Sequence, residues 1–167
     1  MQIHKFLSAL ALLLALGAHL GAHAAEIKGV SNLNHSEPNI YTGGQPESFS
    51  EVADAGVKHV INLRPAAETP DIDESALVSE NGMTYHHLPI SGPGDLTREN
   101  VEKLDSLLAE IGDETVLVHC ASSNRVGALA ALRASWLQGK SDEDALAVGN
   151  TWGLTKMQPA VEQLLNQ

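Results

Sequence analysis

Residues 115–138 constrain the fold of this chain more than any other segment. Residues 115–118 form an apolar run that is typical of a buried strand, and the alanine- and leucine-rich residues 125–138 predict a helix. A polar loop, from His119 to Asn124, connects the two. Because a strand that leads directly into a helix is the repeating unit of parallel α/β sheets, the segment favours that fold class.

The same alternation continues through the rest of the chain, with glycines where several helices should end. Strands are predicted at residues 39–42, 57–63, 83–90 and 115–118, and helices at residues 48–55, 72–81, 98–111, 125–138, 141–149 and 159–165. We therefore expect a three-layer α/β domain, in which helices flank a mostly parallel sheet of four to five strands. Residues 25–37 are expected to be an extended lead-in, and Asp71 to cap the helix at 72–81.

The first 24 residues have the features of a secretory signal peptide. Lys5 provides a positive start, residues 6–18 are apolar, and the Ala-His-Ala sequence at 22–24 fits the cleavage pattern. The apolar stretch is shorter than the roughly 20 residues that span a bilayer. We expect cleavage after residue 24, a single domain at residues 25–167, and an exported, periplasmic protein that is not inserted in a membrane.

The charge of the chain excludes several kinds of partner. With 10 basic and 21 acidic residues, the formal net charge is −11, and signal cleavage removes one of the lysines. Such a chain repels nucleic acids and anionic membranes, so neither is expected as a partner. Any anion site must be created locally, by a few groups that outweigh the field of the whole protein.

Two residues of the polar loop can create such a site. Cys120 is the only cysteine, so it cannot form an intramolecular disulfide in an oxidising compartment. Loop N–H groups and the N-terminus of the following helix attract anions and stabilise a thiolate, the nucleophilic form of cysteine. The planar fork of Arg125 can hold two anion oxygens. The alternative is a buried structural Cys120 beside a solvated Arg125.

Other residues are candidates for supporting roles. His119 either stabilises the Cys120 thiolate or is a core histidine bonded to the backbone. Arg64 ends a predicted strand and either adds a positive charge to the site or pairs with Glu68. Adjacent histidines at 86 and 87 on a strand point to opposite faces, so we expect no metal site, and no cofactor is expected either.

Three further motifs accompany the cysteine loop. They are residues 41–46 (Tyr-Thr-Gly-Gly-Gln-Pro), 60–65 (Val-Ile-Asn-Leu-Arg-Pro) and 85–90 (Tyr-His-His-Leu-Pro-Ile). With His119 and Cys120 after an apolar strand and Arg125 opening a helix, the chain resembles cysteine-dependent phosphatases of the protein-tyrosine and dual-specificity type. It is similar above all to the bacterial phosphatase-like family that also occurs fused to beta-lactamase-like hydrolases. The resemblance covers most of the chain after the signal and implies a tyrosine-phosphatase-like fold.

The resemblance also implies covalent catalysis on a phosphorylated protein or small molecule. The Cys120 thiolate would attack phosphorus and form a phosphocysteine intermediate. Arg125 and the loop amides would stabilise the charge on the phosphoryl oxygens. The loop residues that would bind substrate in this way are Ala121, Ser122, Ser123, Asn124 and Arg125.

An aspartate would protonate the leaving oxygen and then activate water in the same family mechanism. Asp95 is the first candidate, because it lies on the glycine- and proline-rich loop after the third predicted strand. Its alternative role is to complement the dipole of the helix that follows. Asp71 and Asp73 are second choices.

The loop departs from the usual phosphatase signature in three ways. Four residues, not five, separate Cys120 from Arg125, which is the loop length of rhodanese-type sulfurtransferases. The loop lacks glycine, so a left-handed position must fall on Asn124 or a serine. Val126 stands where phosphatases commonly carry a hydroxyl that helps the thiolate leave, although Ser122 or Ser123 could substitute. A sulfurtransferase with a persulfide on the cysteine, and a non-catalytic oxyanion- or phosphoprotein-binding module, therefore stay open as alternatives.

Overall fold

The computed structural model describes residues 26–167, so the signal peptide expected at residues 1–24 lies outside the described residues. Helices flank a five-stranded sheet on both faces, which confirms the predicted fold class. The strands are β1 (Asn34–Glu37), β2 (Ile40–Gly43), β3 (His59–Asn62), β4 (Thr84–His87) and β5 (Val116–His119). The helices are α1 (Phe49–Asp54), α2 (Glu74–Glu80), α3 (Arg98–Ile111), α4 (Asn124–Trp136), α5 (Asp142–Thr151) and α6 (Gln158–Leu165).

The strand order is β1-β2-β5-β3-β4, and every neighbouring pair except β1–β2 is parallel. Parallel strands bring their carboxyl ends to one edge of the sheet, where ligands bind in open α/β folds. The loops after β3, β4 and β5 therefore meet at that edge, as the sequence predicts. Short 3-10 helices, Ala66–Glu68 and Pro93–Asp95, lie in the first two of these loops.

The expected extended lead-in at residues 25–37 is wrong for residues 28–32, which form two turns around Val30, whereas its last four residues are extended and form a strand that the sequence did not predict. Asn34–Glu37 form strand β1, which pairs antiparallel with β2 at the edge of the sheet. All four residues are polar, and none is fully buried, so no apolar alternation marks the strand. Backbone pairing and the stacking of His35 on Tyr41, with ring centroids 4.7 Å apart, stabilise it instead.

Helix α2 begins two residues later than predicted. Its N-cap is Asp73, whose carboxylate accepts from the Ala76 N–H at 3.0 Å, and not Asp71. Ile72, the apolar residue that suggested an earlier start, is 42% exposed and does not face the core. The shift is important for the site, because it places Glu74 at the first helical position.

The two faces of the sheet are covered by two separate hydrophobic clusters. Alternate strand residues point to opposite faces. Ile61 and Val118 therefore belong to the cluster with α3 and α4, whereas Val60 and Leu117 pack in the cluster that includes residues of α1 and α2. Within residues 26–167, no helix has both the length and the apolar character that crossing a membrane requires.

Candidate active site

The loop between β5 and α4 forms the floor of the site. Cys120 follows the last residue of β5, and its N–H donates to the Gly43 carbonyl at 3.2 Å. The Cys120 residue is 1% exposed and borders the hydrophobic cluster under α4. Burial alone would agree with a structural cysteine, so the groups that face the sulfur decide between the two interpretations.

Arg125 is directed into the site and is not a solvated surface charge. Its side chain is only 11% exposed, although it stands in the first turn of α4. The Glu68 carboxylate raises the pKa of Arg125, and the charge and hydrogen bonding of the Cys120 side chain add to that effect. The only cysteine of the chain therefore shares its site with a guanidinium.

The hydrogen bonds of Arg125 leave one edge of its guanidinium open. Nη1 donates to Glu68 Oε1 at 2.7 Å and to the Ile90 carbonyl at 2.7 Å, and Nη2 donates to Glu68 Oε2 at 2.8 Å. A guanidinium has five N–H groups in a planar fork. Within residues 26–167, Nε–H and the second Nη2–H have no oxygen or nitrogen acceptor. These two groups lie side by side and can bind two oxygens of an anion.

The turn from the loop into α4 uses a left-handed residue. Ser123 has φ 66° and ψ −13°, so the left-handed position falls on a serine, one of the two choices that the sequence left. The Ser123 hydroxyl is buried and donates to the Trp152 carbonyl at 2.8 Å. This bond holds the strained residue in place, and it commits the Ser123 hydroxyl to structure. Ser122, which is exposed, is the loop hydroxyl that remains available to a substrate.

Close packing and backbone bonds hold the loop on its other side. Ser122 forms an isolated β-bridge with Gly44, where a side chain would collide with Ser31 and the Ala121 carbonyl. Asn124 Oδ1 accepts from the N–H groups of residues 155 and 157, at 2.8 and 3.2 Å. The Asn124 side-chain oxygen therefore anchors the loop.

Glu68 lies between two arginines. Besides Arg125, it accepts from Arg64 Nε at 3.1 Å through Oε2, and its carbonyl accepts from Arg64 Nη2 at 3.1 Å. Arg125 and then Arg64 lower the pKa of Glu68, against an opposing effect of burial. Arg64 thus pairs with Glu68, one of its two predicted roles, and it also donates to Gln45 Oε1 at 2.9 Å.

His119 is neither solvated nor bonded to the backbone. Its Nε2 lies 2.6 Å from Glu74 Oε1, and both side chains are almost fully buried, at 0% and 3% exposure. Nδ1 of His119 is buried without a hydrogen-bond partner within the described part of the chain. Glu74 also accepts from Gln45 Nε2 at 3.0 Å through Oε2. A buried carboxylate therefore lies behind the cysteine loop.

Comparison with known proteins assigns this arrangement to a family. The sequence model described as "Beta-lactamase hydrolase-like protein, phosphatase-like domain" matches residues 38–136. The chain belongs to this family of phosphatase-like domains. A beta-lactamase hydrolase-like protein of Xylella fastidiosa strain Temecula1 is 31% identical over 117 residues, which are 66% of this chain and 26% of that protein. The chain thus spans only a minor part of that relative's length.

Solved structures agree with this assignment. A candidate phosphatase from Shewanella putrefaciens CN-32 is 28% identical, with a TM-score of 0.66 over 84% of this chain and 92% of that one. Tk-PTP in its active form is 20% identical, with a TM-score of 0.59 over 80% and 95% of the two chains. P. aeruginosa TpbA, solved in complex with pTyr, is 21% identical, with a TM-score of 0.56 over 79% and 81%. The last two show that the fold is tyrosine-phosphatase-like.

In this phosphatase-like domain, the bonds of Asp95 are local. Its carboxylate accepts from the Ser91 N–H at 2.6 Å, and its carbonyl accepts from Asn100 Nδ2 at 2.8 Å. The loop that carries Asp95 begins next to Ile90, whose carbonyl binds Arg125. The structure therefore ties the base of the Asp95 loop to the site, whereas the carboxylate itself bonds within its own loop.

The second-choice acids lie elsewhere at the same sheet edge. Asp71 and Asp73 line a cavity of about 490 Å³ whose wall also includes Arg64, Glu74 and Tyr85. Asp73 is occupied as the cap of α2, whereas the Asp71 carboxylate has no hydrogen-bond partner within residues 26–167. The cavity adjoins the site through Arg64 and Glu74.

Sequence reasoning missed two residues of the site in this phosphatase-like domain. Glu74 was missed because the predicted helix began at residue 72. With that start, nothing in the sequence indicated that residue 74 is buried. Gln45, in the turn after β2, had no assigned role although its motif is part of the family resemblance. A signal for Gln45 was its place after a glycine pair at the carboxyl end of a strand, beside the expected site.

Proposed function

We propose that this protein is a phosphoric monoester hydrolase that acts through a phosphocysteine on Cys120. The observation that carries the proposal is the open edge of the Arg125 guanidinium. Glu68 and the Ile90 carbonyl occupy the other N–H groups, so Nε–H and the second Nη2–H have no oxygen or nitrogen acceptor within residues 26–167, and the Cys120 side chain is near enough to raise the pKa of Arg125. A preorganised pair of charged donors is the feature that stabilises the oxygens of a transferring phosphoryl group.

Local charge supports anion binding despite the acidic chain. Arg64, Glu68 and Arg125 together carry one net positive charge, whereas the whole chain has a formal charge of −11. The first N–H groups of α4 add to this field, because the first turn of a helix has no intrahelical acceptors for them. A dianionic phosphate group is therefore attracted to this loop although the rest of the surface repels it.

The proposed reaction has two steps. In the first, the Cys120 thiolate attacks phosphorus, the ester bond breaks, and Asp95 gives its proton to the leaving oxygen. In the second, Asp95 takes a proton from water, the water oxygen attacks phosphorus, and the P–S bond breaks to release phosphate and the thiolate. The Asp95 loop begins next to Ile90, whose carbonyl binds Arg125, and in this scheme the Asp95 carboxylate leaves the Ser91 N–H to reach the leaving oxygen.

The substrate class follows from the same chemistry. A group that two guanidinium N–H and the loop amides can hold is a phosphate monoester, on a protein side chain or on a small molecule. TpbA, a structural neighbour, binds pTyr in its solved complex. We propose an exported, periplasmic location from the signal sequence at residues 1–24, which fractionation of cells would test by following the full-length chain.

A side-by-side assay tests the reaction type. Aryl phosphate hydrolysis is measured for the wild type, for Cys120→Ser and for the exposed control Ser106→Ala. Loss of the nucleophile is expected to lower kcat by at least about 1000-fold, while the control keeps the wild-type rate. Thiosulfate with cyanide is the second substrate. Thiocyanate formation without phosphate release would favour the sulfurtransferase, and tight phosphate binding without turnover would favour the binding module.

A further inference from the structure

A continuous chain of side chains runs behind the cysteine loop and joins its two ends. His119, next to the nucleophile, contacts Glu74, and Glu74 contacts Gln45. The chain then continues through Arg64 to Glu68, which holds Arg125. All distances along it are between 2.6 and 3.1 Å. The turn after β2, helix α2, strand β5, the loop after β3 and helix α4 are connected in this way.

Each hydrogen bond of this chain has a fixed direction. Arg64 can only donate, so Gln45 must turn its oxygen towards Nη1 of Arg64. The amide nitrogen of Gln45 must then point to Glu74 and donate to Oε2. Glu74 is thus the final acceptor, and the donor at Arg64 and the acceptor at Glu74 require the same orientation of the Gln45 amide.

The histidine end of the chain has a defined direction as well. His119 Nδ1 is buried without a partner within residues 26–167, so a proton there would leave an N–H group without an acceptor. Such an unpaired buried donor costs free energy. The arrangement with the proton on Nε2 donates it to Glu74 and leaves only a lone pair unsatisfied. Glu74 therefore accepts from both neighbours, as an ionised carboxylate does.

We propose that Glu74 is a positioning residue that sets the anion-binding edge of Arg125 from a distance. By accepting from Gln45 it fixes Arg64, and Arg64 fixes the Glu68 carboxylate that holds one edge of the Arg125 guanidinium. The Nε–H and the second Nη2–H then remain for an anion bound above Cys120. Glu74 contacts neither Cys120 nor Arg125, so its effect is exerted through this chain. The inference rests on the proposed function only in taking Cys120 and Arg125 as the anion site.

The substitution Glu74→Gln disrupts part of the chain. If the oxygen of the introduced amide accepts from His119, its nitrogen faces the amide nitrogen of Gln45, and two donors are opposed. Rotation of the Gln45 amide would relieve that contact but would turn its nitrogen towards Arg64, which is also a donor. This near-isosteric change therefore weakens the hold of Gln45 on Arg64 Nη1, and Arg64 is positioned less firmly against Glu68, which it still contacts through Nε and Nη2.

The double variant Gln45→Glu with Glu74→Gln exchanges the amide and the carboxylate between positions 45 and 74. Every hydrogen bond from His119 to Arg64 can then form again. His119 donates to the oxygen of the amide that now stands at position 74. The nitrogen of that amide donates to the carboxylate that now stands at position 45. Arg64 donates to the same carboxylate, so the chain to Glu68 is complete again.

Alkylation of Cys120 reports on the anion edge without any catalytic turnover. Iodoacetate is an anion that Arg125 attracts, whereas iodoacetamide is neutral and measures the accessibility and reactivity of the sulfur. Because the chain has a single cysteine, every thiol adduct is on Cys120, and peptide mapping separates it from adducts on other side chains. The ratio of the two rates is measured for the wild type, Glu74→Gln, the double variant, and Glu80→Gln, which makes the same change at the exposed end of α2. Melting temperatures are recorded for all four.

The wild type is expected to prefer iodoacetate, and Glu74→Gln to lower that preference about tenfold, the size of effect of a hydrogen bond to a charged group. Glu80→Gln keeps the wild-type ratio, and the double variant recovers it to within about threefold. An unchanged ratio in Glu74→Gln, or a folded double variant without recovery, would overturn the inference. If Glu74→Gln does not fold, the rate ratio of the double variant decides: recovery to the wild-type ratio supports the inference, and a low ratio overturns it. A wild type without any preference would refute the anion site itself, and with it the proposed function.

Discussion

The two sides of the cysteine loop are held by different kinds of interaction. On one side, which we call the packing flank, Gly44, Gly127, Gly149, Trp152 and Gly153 hold the loop by close backbone approach. On the other, the charged flank, Glu68, Arg64, Gln45 and Glu74 hold Arg125 and His119 by directed hydrogen bonds. The packing flank fixes the shape of the loop, and the charged flank sets the direction of its charges. Changes on the first should reduce stability, and changes on the second should reduce activity.

The largest effect is expected for Gly127→Ala on the packing flank. A Cβ at this position would lie 2.6 Å from the Gly149 carbonyl oxygen and would overlap the backbone nitrogen of Leu154. Backbone atoms cannot move aside cheaply, so α4 and α5 must separate, and the free energy of unfolding should fall by about 3 kcal/mol. Urea denaturation measures this loss. Gly94→Ala is the control, because within residues 26–167 no atom outside its chain neighbours lies within 4 Å of the added Cβ. Similar stability of the two variants would show that the packing flank does not depend on close approach.

Gly153→Ala should have the next largest effect. Gly153 has φ 97°, and a Cβ there would lie 2.5 Å from Ser123 Cβ. The strain should lower the free energy of unfolding by about 2 kcal/mol and displace the left-handed Ser123. Aryl phosphate hydrolysis should therefore decrease as well, measured on protein that circular dichroism shows to be folded. Full activity in the folded variant would mean that Ser123 does not need its present position.

The sequence predicted the parts of the site that are local in the chain. An apolar run that ends two residues before Cys120 and a helix beginning near Arg125 position both residues, and a loop without glycine forces a left-handed serine or asparagine. Helix starts were less certain, because Asp71 and Asp73 are both good caps and only packing selects between them. Strand β1 was missed because an edge strand of polar residues has no hydrophobic period.

The charged flank could not be predicted, because its contacts join distant parts of the chain. Glu74 and His119 are 45 residues apart, and Glu68 and Arg125 are 57 residues apart. A buried glutamate also contradicts the usual preference of charged residues for the surface, which only a specific partner overcomes. Such partners are defined by strand order, and the order β1-β2-β5-β3-β4 is not readable from the local pattern.

Glu68→Gln tests the charged flank with a smaller effect. The glutamine nitrogen faces the Arg125 fork, so one of the two bonds is lost and the guanidinium is held less firmly. We expect kcat/KM for an aryl phosphate to fall about tenfold, with a change in unfolding free energy below about 1 kcal/mol. Glu102→Gln, which removes an exposed ion pair with Arg98, is the matched control. A loss of stability without a loss of kcat/KM would assign Glu68 to the packing flank.

The smallest effect is the pH dependence of the same pair. Arg125 lowers the pKa of Glu68 below its ordinary value of 4.5, so the carboxylate stays ionised to a lower pH in the folded protein than in the unfolded chain. The stability that this pair contributes is present above pH 4.5 and is lost as the pH falls through the folded pKa. The difference in unfolding free energy between wild type and Glu68→Gln should therefore shrink as the pH falls below 4.5. A difference that grows on acidification would contradict this sign.

Trapping the covalent intermediate tests the central claim most directly. Asp95→Asn, which cannot activate water, is mixed with an aryl phosphate and quenched within milliseconds in denaturant, and the peptide that contains Cys120 is analysed by mass spectrometry. The account predicts one phosphoryl group on that peptide and none in Cys120→Ser. Two results together would contradict it: phosphate release by Cys120→Ser at the wild-type rate, and no phosphoryl group on the Cys120 peptide of Asp95→Asn.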